Sequence, residues 1–283
     1  MDSSSPPGFT VKKAGIISKP GDTDAAAHAT ALMAWLSERG IECLASAIEA
    51  DLDILIILGG DGTLLRIAET AARLSIPVIG INLGNLGFLT ELTKDESTET
   101  LAAILAGTAN MEHRSLLSTR LKSGSSWSAP RYALNDVVIS KNAVDRLFYL
   151  ATGADGRHIT TYRADGLVFS TPTGSTAYNL SAGGPLVHPD LAAILVTPIC
   201  PFMLSSRPII LPPAATITSH YLAHEGDVTA MVIVDGQQAW EMNPGDTLEV
   251  KMADDRLTLI TSTRRDYFSI IRNKLNWASG QGV

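Results

Sequence analysis

The sequence predicts an α/β N-terminal domain, built on an open and mostly parallel sheet, followed by a mostly β C-terminal domain. The chain has 283 residues, about twice the roughly 150 of a typical domain, so two cores are the first expectation. Strand and helix patterns alternate up to about residue 107, and repeated βα units imply a parallel sheet. Beyond that point β-branched segments separated by turn residues take over. The domains are therefore expected at 1–107 and 108–265, with a terminal helix at 266–277 packing back on the first.

Each element has a local reason. Residues 14–18 (AGIIS) read as a buried strand, and 23–39 as a helix with Leu32, Trp35 and Leu36 at core spacing. A second strand is placed at 41–44. Residues 53–58 (DILIIL) form a short apolar run stopped by Gly59-Gly60, which suits a central parallel strand buried on both faces. Helix returns over 63–73, strand over 77–82 (PVIGIN), and a Gly-rich turn then passes through Gly84 and Gly87. A helix around 101–105 is introduced by Asp95 and Ser97 as caps.

In the second domain strands are expected at 116–121, 131–140, 147–151, 158–162, 166–170, 191–197, 216–221, 229–234 and 257–261. Asp235-Gly236 and Asn243-Pro244-Gly245-Asp246 are read as turns between them. The terminal helix, 267–275, carries Phe268, Ile271 and Leu275 on one face.

Composition narrows the function classes. With 22 basic and 29 acidic residues the net charge is −7, which offers no overall field to attract nucleic acid or an anionic membrane. Cys43 and Cys200 match neither a CxxC redox motif nor zinc-ligand spacing, so a reducing, cytoplasmic setting is expected. The start, MDSSSPP, lacks the charged and apolar regions of a signal peptide. Apolar runs such as 191–196 are far shorter than the roughly 18 residues of a membrane span.

Chemistry concentrates in a few segments. In LGGDGTLL, residues 58–65, a buried strand ends in glycines around Asp61 and a helix starts at once. Glycines allow a backbone to approach a ligand closely, and the open N–H groups of a helix start form an anion site. Asp61 is then placed to accept a proton from a hydroxyl nucleophile, although Gly-Asp-Gly also serves as a tight turn capping a helix. Residues 165–185 bring many hydroxyls, several glycines and Tyr178 into one stretch after a strand, a supply of donors for phosphate and sugar oxygens and a ring for a base. A polar surface loop has the same composition. Asn135-Asp136 sits among apolar residues, where unsatisfied polar groups are costly; a ribose diol, an adenine edge, a turn or an internal network satisfies them equally.

Other phosphate, kinase and hydrolase motifs are missing: GxxxxGK[ST], GxGxxG after the first strand, HRD, DFG, HExxH and GxSxG. No metal-ligating residues are assigned. His188 and His224 have no partners at motif spacing and read as ordinary surface or core histidines.

Together, GGDGTLL at 59–65, LND at 134–136, DGLVFSTPTGSTAYNLSAGGPLVHP at 165–189 and VDGQ at 234–237 resemble the NAD kinase family. The first strand with Lys19-Pro20, and the end of the chain with Asp266-Tyr267-Phe268 and RNKLNW at 272–277, are similar to that family too. The resemblance implies an NAD kinase-like fold with its site in a cleft. It implies transfer of the γ-phosphoryl of ATP to the 2′-hydroxyl of the adenosine ribose of NAD, giving NADP and ADP. A divalent metal, usually magnesium, and a homodimer or homotetramer are implied with it. GGDGT alone is shared with lipid and sugar kinases, and a catalytically silent dinucleotide-binding sensor is the other alternative.

By the same resemblance Asp61 is the general base, and Gly59, Gly60 and Gly62 face phosphates, with Arg66 one turn into the helix within reach of the cofactor. Asn135 and Asp136 match a pair contacting ribose and adenine, with Asp where many relatives carry Glu. Arg163 and Asp165 match residues lining the dinucleotide site. Thr173, Thr176, Ala177, Tyr178, Asn179, Leu180 and Ser181 match the stretch holding the adenylate, and Gln237 a polar residue nearby. Arg114, Arg131 and Arg146 serve the ATP pocket or are surface charges; Arg146 is counted with the cofactor-binding set.

Overall fold

A computed structural model describes residues 9–84, 86–141, 148–224, 229–262 and 264–277. The chain divides into two compact units, Met1–His113 with Leu257–Val283, and Arg114–Arg256.

The first unit starts with strand β1 (Lys13–Ser18), helix α1 (Thr23–Ser37), β2 (Glu42–Ala45), β3 (Ile54–Leu58) and α2 (Asp61–Arg73). It continues with β4 (Val78–Asn82), β5 (Leu92–Thr93) and α3 (Ser97–Leu105). The second unit holds β6 (Asn110–Ser123), β7 (Ser126–Trp127), β8 (Arg131–Ala133), β9 (Asp136–Lys141), β10 (Phe148–Ala154), β11 (Arg157–Ala164) and β12 (Gly166–Ser170). After a 3₁₀ turn at Thr173–Thr176 come α4 (Tyr178–Ser181), β13 (Ile194–Ile199), β14 (Ile209–Leu211), β15 (Ile217–Tyr221), β16 (Ala230–Val234), β17 (Gln237–Met242) and β18 (Thr247–Thr261). Helix α5 (Tyr267–Lys274) ends the described chain. The division between units falls within β6 and within β18.

In the first unit β2, β1, β3 and β4 lie side by side and parallel, and β4 also pairs in parallel with the end of β18, Leu259 facing Val78. All five residues of β3 are buried, as an unbroken apolar run requires when both faces of a strand are covered. Ile16, Ile56, Leu58, Ile79 and Ile81 meet Leu32 and Leu36 of α1 and Leu101 and Ile104 of α3 in one core. From β1 the chain passes to β2 on one side, and then to β3 on the other. The carboxyl ends of β1 and β3 therefore flank a topological switch point, where open α/β sheets bind ligands.

The second unit pairs its strands antiparallel. One sheet runs β14-β13-β12-β9-β16-β17; in the other, β11-β10-β15 continues onto the first half of β18. Val137, Phe169, Val196 and Val232 of one sheet and Leu150, Ile217 and Leu248 of the other share a core, the arrangement of a β-sandwich.

Three differences from the sequence reading have physical causes. The expected strand 131–140 is split into β8 and β9, because Leu134 and Asn135 donate their N–H groups to the Asp235 carboxylate instead of to a neighbouring strand. β18 extends to 15 residues, its polar first half hidden from an apolar pattern. On α5, Ile270 and Ile271 are buried while Phe268 is exposed, so the inward face is rotated from the expected one.

Candidate active site

β3 delivers the chain to Gly60, and α2 begins at Asp61, two residues earlier than the apolar pattern suggests. The Asp61 side chain turns toward the loop that follows β4, the neighbouring strand. Its Oδ2 accepts the Phe88 amide at 2.9 Å. Its Oδ1 accepts the amides of Leu89 and Thr90 at 3.1 and 3.0 Å and the Thr90 hydroxyl at 2.9 Å. Each carboxylate oxygen offers about two lone-pair sites, so Oδ1 is saturated and Oδ2 retains capacity for one more proton donor. The loop comes this close because residue 87 is glycine: a Cβ there would lie 1.9 Å from Asp61 Oδ1.

Beside Asp61, at the switch point, lies an open cavity of about 320 Å³ lined by Lys19, Pro20, Gly60, Gly62, Thr63 and Arg66. Two cations and the N-terminus of α2 line it, features that favour an anion. Gly60, Gly62 and Arg66 are placed there as expected from the sequence, but Gly59 is not. Gly59 is buried, and its N–H is already given to the Ile81 carbonyl at 2.9 Å, so it joins strands and has no donor left for a phosphate.

The second unit gathers the 173–181 segment at the Asn135 end of β12, whereas Arg163 and Asp165 lie at its other end, where Gly166 faces Ser140. The Asp235 carboxylate accepts the N–H groups of Leu134, Asn135 and Asp136 at 2.7, 2.8 and 3.0 Å. On the far side of the turn, the Asn135 carbonyl accepts Thr171 N–H and the Ser170 hydroxyl. Gly174 packs against the same carbonyl, where a Cβ would approach to 2.1 Å. The 3₁₀ turn is thus docked onto the LND turn, with Thr173 and Thr176 linked through the Thr176 hydroxyl and the Thr173 carbonyl. Burial and the neighbouring Asp235 push the Asp136 carboxyl up to about 7, against the Tyr178 amide, which favours its charged form.

Tyr178 is 44% exposed and open to stacking, and Ala177 and Leu180 are half-buried with Ser181 exposed. Asn179 departs from the expected role. It is fully buried, its Nδ2 donating to the carbonyls of Ser175 and Pro185 and its Oδ1 accepting the Thr197 hydroxyl. Its amide is spent on holding the segment together. Arg163 lies over Phe202 at 4.2 Å and Tyr149 at 5.6 Å, and its buried Nε has no acceptor among the described residues. Asp165 pairs with Lys141 at 2.6 Å. Gln237 is exposed, just past the Asp235-Gly236 turn. Arg146 lies outside the described residues.

Sequence reasoning missed Lys19 and Thr63 as pocket residues, Asp235 as the clamp on the LND turn, and the Phe88–Thr90 amides. The glycines at 84 and 87 were the available signal for the last. Their partner, Asp61, is 27 to 29 residues distant from those amides, which no local pattern reveals.

Known proteins share this architecture. Residues 43–109 match the ATP-NAD kinase N-terminal domain family, and residues 134–262 the ATP-NAD kinase C-terminal domain family. NAD kinase of Geotalea daltonii is 39% identical, and that of Geobacter metallireducens 40% identical, each alignment covering 94% of this chain and 99% of the relative. NAD kinase of Syntrophobacter fumaroxidans is 46% identical over 80% of both chains. Among solved structures, yeast NADH kinase complexed with NADH superposes with a TM-score of 0.83 at 28% identity, covering 99% of this chain and 94% of that one. An NAD kinase from Archaeoglobus fulgidus in complex with ATP shares the fold, with a TM-score of 0.76 at 23% identity over 93% of this chain and 98% of the other. With GGDGT ending β3, the LND turn docked on STPTGST, and relatives of this identity along almost the whole length, the chain belongs to the NAD kinase family.

Proposed function

We propose that this protein transfers the γ-phosphoryl of ATP to the 2′-hydroxyl of the adenosine ribose of NAD, releasing NADP and ADP. The observation that carries the reading is the Asp61 carboxylate, fixed by four hydrogen bonds with capacity left on Oδ2, beside a cationic pocket at the head of α2. The 2′-oxygen attacks the γ-phosphorus, forming one O–P bond as the bond to the β,γ-bridging oxygen breaks, and its proton passes to Asp61 Oδ2. Such a reaction asks a protein mainly for positioning and charge neutralisation. Lys19, Arg66, Gly60 and Gly62 supply the neutralisation for phosphate oxygens.

In the second unit Thr173, Thr176, Ala177, Tyr178, Leu180 and Ser181 would hold the adenylate, with Tyr178 beside the base, and Asn135 and Asp136 would meet ribose and adenine. Arg163, Asp165 and Gln237 would line the dinucleotide, and Arg163 has a buried N–H still to place. Among the described residues no three carboxylate, imidazole or thiol groups gather to hold a metal. Magnesium keeps water ligands and needs one or two carboxylates at most, so the phosphates would carry it. Held by the ATP oxygens seated at Lys19 and Arg66, it would neutralise charge on the transferred group.

The reading extends to a homodimer or homotetramer in the cytoplasm. Exposed Phe202, Met203 and Leu204, the last at 90%, support self-association, and among the described residues no helix is long and apolar enough to cross a membrane. The test is NADP formation from NAD, ATP and magnesium, followed with an NADP-specific dehydrogenase, with NADH as a second acceptor. Asp61→Asn is expected to lower kcat by about 10²- to 10⁴-fold with folding intact. No NADP from the unaltered protein would return the GGDGT turn to a lipid or sugar kinase, or to a silent dinucleotide binder.

A further inference from the structure

The hydrogen bonds to Asp61 are unequally shared between its oxygens, and two buried side chains enlarge the excess. Oδ1 takes three of the four, one of them from the Thr90 hydroxyl. Thr90 is fully buried, and its hydroxyl in turn accepts Asn82 Nδ2 at 3.0 Å. With Asn82 donating from that side, the single hydroxyl proton is directed at Asp61. Asn82, itself buried, is oriented by the Gly84 amide, which donates to its Oδ1 at 2.9 Å. The relay therefore runs from the loop after β4 through Asn82 and Thr90 to one oxygen of Asp61.

We propose that Asn82 and Thr90 are positioning residues for phosphoryl transfer: by adding a side-chain donor to the two amides on Oδ1 they fix the carboxylate rotation that leaves Oδ2 to take the proton of the acceptor hydroxyl. The proposal rests on the base role of Asp61 given above. A carboxylate rotates about its last bond in a broad, nearly two-fold well, so the rotation is set by the donors around it. Loss of the Thr90 hydroxyl removes one donor from Oδ1 and leaves the Asn82 amide without its acceptor. The carboxylate turns, and the receiving lone pair no longer points at the hydroxyl. Both side chains are buried, so a change at either is expected to leave the affinity for substrate unaltered.

The experiment compares Thr90→Val, Thr90→Ser and Asn82→Ala in the full chain, by steady-state kinetics with NAD, ATP and magnesium and by calorimetric binding of NAD. Thr90→Val is expected to lower kcat by about 10²-fold, with KM and NAD affinity unchanged, and Thr90→Ser to restore most of the rate. Asn82→Ala, which removes only the outer end of the relay, is expected to cost about tenfold in kcat alone. A kcat per folded molecule that stays at the unaltered value, or a loss that appears in KM and NAD affinity, overturns the proposal. Should Thr90→Val fail to fold, Asn82→Ala decides by the same criteria. Asp61→Asn is measured beside them: full activity there sinks the base reading itself, whereas an inactive Asp61→Asn with fully active relay variants sinks only this proposal.

Discussion

Asp61 and Asp136 are both single aspartates set at the end of an apolar segment, yet the two units treat them oppositely. Asp61 is only partly buried and accepts three backbone amides and a hydroxyl. Asp136 is 6% exposed, has the Tyr178 amide in its favour, and faces the carboxylate of Asp235. Asp235 has taken three amides for itself, and its carboxylate adds to the burial that raises Asp136. The lesson is that burial and a neighbouring carboxylate raise the one group, whereas the other stays partly open and is ringed by donors.

The comparison can be broken at Asp235 first. Replacing it by Ala withdraws the acceptor from three amides, and hydrogen bonds to a charged group contribute about 1.5 kcal/mol or more each. A loss of about 4 kcal/mol in urea unfolding is expected, with the second unit affected and the Asp61 loop untouched. A loss below about 1 kcal/mol would mean that water replaces the clamp.

Gly87→Ala tests the Asp61 side. The added methyl cannot coexist with Oδ1 at 1.9 Å, so the carboxylate or the loop must move, and a displacement of that size at a reacting group costs about 10²-fold in kcat. Unchanged turnover would show that Asp61 need not sit where the amides hold it.

The smallest effect sharpens the contrast through pH. Asp136 has its folded value raised from 3.8 to about 7, so the folded protein binds its proton more tightly than the unfolded chain does. The stability from this group is complete below about pH 4 and is lost as pH rises through about 7. Between pH 5 and 7 that amounts to about 2 kcal/mol. Asp136→Asn should remove this slope from urea titrations at a series of pH values; an unaltered slope would place the proton elsewhere.

Much of the fold was legible because burial leaves a mark on local composition. The run 54–58 could only be a strand covered on both faces, and β3 is one. The strands missed, β5, β7, β14, β17 and the first half of β18, are short or polar on their exposed faces, where neighbours supply the pairing and the side chains do not announce it. At the site, the grouping of Gly60, Gly62 and Arg66 on one cavity was legible because a glycine-rich turn between strand and helix keeps its flanking residues together. Gly59 and Asn179 sit inside the same motifs, and their burial came from contacts with Ile81 and Thr197 that motif spacing does not encode.

By itself the sequence determined the alternation that makes a parallel sheet, the glycine-flanked Asp61 at the end of its central strand, and the motifs that place the chain in its family. These follow from local periodicity and from residue types with few alternatives. Tertiary structure alone decided which oxygen of Asp61 remains open, and that the Asp136 carboxyl is pushed up to about 7. Both depend on partners about 30 to 100 residues away in the chain, and hydrogen bonding and desolvation act through distance in space, which the order of residues does not state.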